Sequence, residues 1–223
     1  MFIDVDELLI LRKHSNINDF LVEHLPVEQD DAGRDDTAAS ESIPKESHTE
    51  NNTTGAIAIN WMLIGASAAN DDPNSYEYQP MPMSKRFQYR IGFNKLYKSI
   101  VKIDAMKLKP ASTPHSMNLK DGYITRDLNH NVINHIFANP LGNTTIETIA
   151  AIYHYKYKSK EEYYSKLQRG RADLASKSYK NSNPIEKQKL LHIPNAMVPD
   201  DAGWTTVKRY LPEYQYYDNY AIC

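Results

Sequence analysis

Cysteine is almost missing from this chain. Cys223, the last of 223 residues, is the single one, which excludes an internal disulfide and any cysteine-built metal site and leaves the redox compartment open. A surplus of one charge sign is missing too. With 26 Lys and Arg against 28 Asp and Glu, the net charge is −2, so the overall balance gives no electrostatic reason to expect nucleic acid. No apolar run reaches the about 18 to 20 residues of a membrane-spanning helix, and the N-terminus has neither the basic region nor the small-residue cleavage site of a signal peptide. What remains is a length that allows one substantial domain with a buried core.

The first eleven residues, Met1-Phe-Ile-Asp-Val-Asp-Glu-Leu-Leu-Ile-Leu11, form a short apolar run interrupted by Asp4 and Asp6. Such a run reads as a buried strand, on which residues i and i+2 share a face. Two ionised carboxylates facing one way in an apolar setting are costly unless something neutralises them, and a divalent cation with oxygen ligands is the usual partner. The spacing thus predicts a metal site at the end of a strand. The bland alternative is a strand end whose acids cap the next turn. A chain that begins in mid-strand also carries the expectation that an upstream half of the fold is absent.

Further along, Asn16 is placed to cap a helix over 17–25, where Ile17, Phe20, Leu21 and Leu25 recur at helical spacing before Pro26. Residues 27–54 shift to Asp, Glu, Ser, Thr and Asn, and read as a disordered insert. Gly55–Gly65 is a second buried strand. Residues 84–97 read as basic, aromatic and helical around Lys85-Arg86-Phe87, and 98–103 as a strand extended by 105–109. Turns are expected at 120–122 and 127–130. Ile149–Tyr155 is a further buried strand, and Ser159-Lys-Glu-Glu162 has the form of a capping box opening a helix toward Arg171. The alternation of strands and helices argues for an α/β domain.

Four stretches in fixed order carry a resemblance. They are Phe2-Ile-Asp-Val-Asp-Glu7, Ile59-Asn-Trp-Met-Leu-Ile-Gly-Ala-Ser67, Lys98-Ser-Ile-Val-Lys102, and His154-Tyr-Lys-Tyr-Lys-Ser-Lys-Glu-Glu162 running on to Lys166-Leu-Gln-Arg169-Gly-Arg-Ala-Asp173. Together they resemble the family 92-like and bacterial family 2-like glycosyltransferases, over residues 1–175 apart from the insert. Leu8 and Ile64 stand where that family has phenylalanine, and Lys85 stands before Arg86-Phe87 where it tends to have an acid. The resemblance implies a partial GT-A domain, a Rossmann-like sheet that binds a nucleotide-sugar, followed by an irregular tail over 176–223. It implies an inverting transfer of a hexose from that donor to a glycan hydroxyl, with Asp4, Asp6 and His154 holding Mn²⁺ or Mg²⁺. Asn60, Trp61 and Lys98 become substrate-binding candidates, with Trp61 open between a sugar platform and the core, and Lys98 between a phosphate contact and a solvated lysine. The base that deprotonates the acceptor is left among Glu77, Asp71 and Asp72. Lys158, Lys160 and Arg169 read as an exposed helix face, and Glu162 as the helix cap.

No nucleic acid is implied as a partner, and membrane association only through a segment outside this chain. Eukaryotic relatives sit in the Golgi; otherwise a cytoplasmic location is expected. Two competitors stand beside this reading. One is a non-catalytic relative that binds glycans or proteins. The other is an RNA or polyanion binder using the Tyr/Lys/Arg segments at 84–109 and 153–180.

Overall fold

The computed structural model describes residues 3–26, 52–65, 81–107, 115, 117–133, 148–157, 162 and 198–219. The elements are β1 (Glu7–Leu11), α1 (Ile17–His24), β2 (Thr53–Gly65), α2 (Met83–Arg86), β3 (Tyr89–Val101), β4 (Tyr123–Arg126), β5 (Val132–Ile133), β6 (Ala150–Tyr157), β7 (Val198–Pro199) and α3 (Ala202–Tyr210), followed by a 3-10 helix over Pro212–Asn219. The protein is α/β, built on one mixed seven-stranded sheet.

The near-continuous apolar sequence of β2 is what a strand buried on both faces requires. Its 13 residues make it long enough to serve three neighbours. One edge pairs antiparallel with β3 along most of its length. The other edge is shared, with β4 parallel to residues 53–57 and β6 parallel to residues 61–65. β1 closes that side antiparallel to β6, and β7 adds to the far edge of β3. Both faces are covered. Ile57, Ile59, Trp61, Ala150 and Ile152 pack under Phe20 and Leu25 from α1 and its C-cap, together with Leu128. On the opposite face Ile10, Met62, Ile64, Tyr153 and Tyr155 pack with Phe87 and the start of α3.

The α1 cap is as the sequence reads, with Asn16 Oδ1 accepting from the Asp19 amide at 3.0 Å. The expected turns are also there. Gly122 supplies the left-handed backbone (φ 83°) that its turn needs, and Asp127 Oδ1 accepts from the Asn129 and Asn131 amides at 2.9 and 2.8 Å.

Five expectations need correction. The opening strand begins only at Glu7; before it, Asp4 to Glu7 form a turn closed by the Glu7 amide donating to the Asp4 carbonyl at 3.0 Å. The helix expected over 84–97 is a single turn, Met83–Arg86, because Tyr89 to Tyr97 are taken up by pairing with β2. Strand β3 ends at Val101, and past it Met106 makes only an isolated bridge to Leu119. The tail is not irregular where described: β7, α3 and the 3-10 helix lie in it, and Asp200 joins it to the sheet by accepting from Arg12 Nη2 and Tyr153 Oη, each at 2.7 Å. β2 already includes Thr53 and Thr54, so the insert ends sooner than its composition indicated. Residues 27–51 and the helix expected after Ser159 lie outside the described residues, Glu162 excepted. Glu162 takes a fork-to-fork pair with Arg86, Nη1 to Oε2 at 3.2 Å and Nη2 to Oε1 at 2.7 Å, a partner the capping-box pattern gave no sign of.

Candidate functional site

Cross-strand register assembles the site. In antiparallel pairs, residues directly opposite share a face. Glu7 of β1 sits opposite His154 of β6, and Lys98 of β3 sits opposite Ile59 of β2. Trp61 follows Ile59 by two residues, as His154 follows Ile152, so all four side chains occupy the face that α1 covers further along. They gather toward the carboxyl ends of the parallel strands β2 and β6, the place where open α/β sheets usually bind ligands.

Trp61 is the hub. Its ring lies 4.3 Å from the His154 ring and 5.0 Å from the His115 ring, with the Lys98 ammonium 5.5 Å from its centroid. Lys98 is 1% exposed, so the reading of it as an ordinary solvated lysine is corrected. Its Nζ lies 3.2 Å from Asp4 Oδ2 and 3.3 Å from Glu7 Oε2. Glu7 Oε2 also accepts from the Asp4 amide at 3.1 Å. Burial pushes the Glu7 carboxyl above its ordinary range, with the Asp4 amide and Lys98 pulling the other way.

The turn separates the two aspartates. Val5 at its apex is fully exposed, Asp4 projects beside Lys98 with its side chain two-thirds exposed, and Asp6 is buried with Oδ1 3.9 Å from His154 Nε2. The shared-face rule therefore does not apply to Asp4 and Asp6, because they do not lie on a strand. Asp6 Oδ1 and His154 Nε2, 3.9 Å apart, stand wider than the spacing of about 3.3 Å between two ligands of one tetrahedral ion, so one divalent cation would reach both only after a side-chain shift. Asp4 does not fit as a third ligand as it stands, since Lys98 holds its carboxylate.

Two carboxylates, Asp4 and Glu7, face the Lys98 ammonium, and a third, Asp6, faces His154. Among the described residues, the buried Glu7 Oε1 and Trp61 Nε1 have no hydrogen-bond partner. One is an acceptor and the other a donor, the pair a hydroxyl-rich ligand would satisfy.

Asn60 is buried opposite Tyr97, and the two-residue period of β2 directs it to the face away from Trp61. Glu77, Asp71 and Asp72 lie outside the described residues. Sequence reasoning passed over two members. Glu7 stands inside the quoted motif, and its place next to Asp6 was a usable signal. His115 sits in a segment with no periodicity, so nothing in the sequence marked it. In the fold its Nδ1 pairs with the Tyr97 carbonyl at 2.9 Å, which leaves Nε2 as the basic nitrogen, and burial holds the ring below its ordinary pKa.

No family model, curated protein or solved structure matches this chain.

Proposed function

We propose that this protein is a GT-A-type glycosyltransferase that moves a hexose from a nucleotide-sugar to a glycan hydroxyl with the help of Mn²⁺ or Mg²⁺. The observation that carries the reading is the meeting of four separated stretches, through Asp6-Glu7, Trp61, Lys98 and His154, in one polar cluster on an otherwise apolar sheet face.

In this reading Asp6 and His154 hold the cation, which when bound neutralises the donor diphosphate. Lys98, fixed by Glu7, offers its ammonium to a phosphate oxygen, and the exposed Asp4 is the carboxylate that yields to it. Trp61 is a buried core residue that backs Lys98 and His154 rather than a sugar platform, while its Nε1 and Glu7 Oε1 take up hydroxyls. The acceptor base is sought among Glu77, Asp71 and Asp72.

The test measures Mn²⁺-dependent binding and hydrolysis of a panel of nucleotide-sugars. Asp6→Asn and His154→Ala are expected to weaken the metal-dependent signal by at least about 100-fold, the scale of losing a metal's support. Unchanged metal dependence in both variants would refute the assignment. Glycan binding that needs neither residue would favour a non-catalytic carbohydrate-binding protein.

A further inference from the structure

A second cluster lies apart from this site, where the C-terminal end of α1 meets the segment after β1. His14, Glu23 and His24 each offer one ligand atom there, and the three atoms all lie within 4.8 Å of one another. His14 Nε2 is 2.9 Å from Glu23 Oε2. His24 is 2% exposed, and among the described residues neither of its ring nitrogens has a hydrogen-bond partner, although Glu23 Oε1 lies 3.5 Å from Nε2. His14 Nδ1 is likewise buried without a partner.

A neutral imidazole always carries one N–H donor and one lone pair, so a buried ring with both unmet is unfavourable. Among its described neighbours, the Phe20 ring lies 4.9 Å away, the His130 ring stacks at 5.3 Å and the His14 ring lies edge-on at 5.6 Å, and none of these contacts is a hydrogen bond.

We infer that His14, Glu23 and His24 form a binding site for a transition-metal dication, of which Zn²⁺ is the best match. Two imidazoles and one carboxylate are a known zinc donor set, and this set leaves a fourth position for water. Tetrahedral bonds of about 2.0 to 2.1 Å put ligand atoms about 3.3 Å apart, so small side-chain rotations close the cluster. The hard cations Ca²⁺ and Mg²⁺ favour oxygen-rich sets and are disfavoured. Lys13 Nζ, 2.5 Å from Glu23 Oε1 and half exposed, competes with the metal for the carboxylate and can swing into solvent. The bound ion ties the end of α1 to the segment after β1, fixing the helix over the sheet.

The experiment titrates Zn²⁺, and Co²⁺ as a spectroscopic substitute, into the metal-stripped full chain carrying Asp6→Asn, so that the site proposed above does not contribute. One equivalent of Zn²⁺ is expected to bind and raise the melting temperature, with EDTA reversing the rise. Co²⁺ is expected to show the intense visible bands of four-coordination. Glu23→Gln, at a part-exposed side chain, and His14→Gln should each weaken binding by at least about tenfold while keeping a cooperative melt, and Lys13→Gln should tighten it. Failure of the Asp6→Asn protein to bind Zn²⁺, or equal binding by His14→Gln and Glu23→Gln, overturns the inference.

Discussion

Replacing Lys98 by methionine tests how the candidate site is held together. The methionine keeps most of the stem volume and removes the charge. Asp4, with its side chain 66% exposed, can turn to water, whereas the side chain of Glu7 is 0% exposed and cannot. The loss therefore falls on Glu7. Breaking a buried ion pair from one side costs about 3 to 5 kcal/mol, and the lower end applies here because the Asp4 amide still donates to Glu7 Oε2. The effect depends on pH. Burial already raises the Glu7 carboxyl above its ordinary value of 4.5, so its contribution is fully present below that value and is lost as pH rises through the folded-state pKa. Without Lys98 that pKa rises further, and the gap between variant and parent widens as pH climbs. Urea unfolding at pH 8 should show the variant about 3 kcal/mol less stable, a midpoint shift of about 1.5 M if m is about 2 kcal/mol/M. Near pH 4, with Glu7 protonated in both proteins, the gap should nearly close, and adding Glu7→Gln should recover most of the loss at pH 8. A pH-independent deficit, or no recovery in the double variant, would refute the pairing argument.

Asp200→Ala should cost about 3 kcal/mol, measured by chemical unfolding, because Arg12 and Tyr153 both lose an acceptor whose side chain is only 6% exposed; Asp200→Asn should cost less. Gly203→Ala should cost about 1 to 3 kcal/mol and lower the melting temperature, since the added methyl meets the buried Tyr155 hydroxyl and Tyr153 Cδ2. The His115 ring should titrate in NMR with a midpoint below its ordinary value of 6.5 because burial disfavours the charged form; the stability this contributes is present above that value and is lost as pH falls through the folded-state pKa.

The sequence made the strands and the first helix legible because their signals are local. Apolar runs at 55–65 and 149–155 cannot be anything but buried, and Asn16 before a helical period marks a helix start. The 84–97 stretch misled for the converse reason. Its composition tolerates helix or strand, and pairing with β2, a contact distant in sequence, decided for strand. The Asp-x-Asp pair was found, but its geometry was not, since strand periodicity says nothing about residues in a turn. The docking of the tail was invisible because Asp200 has no local pattern, only distant partners in Arg12 and Tyr153.

By itself the sequence determined which segments must be buried and which acids sit among apolar residues, because burial and periodicity are properties of neighbours along the chain. Only the tertiary structure decided that Lys98 neutralises Glu7 and Asp4, that Asp6 faces His154, and that His14 and His24 converge on Glu23. Those outcomes depend on strand register and helix placement, which are set by contacts between residues far apart in the chain, and no local pattern encodes a distance between them.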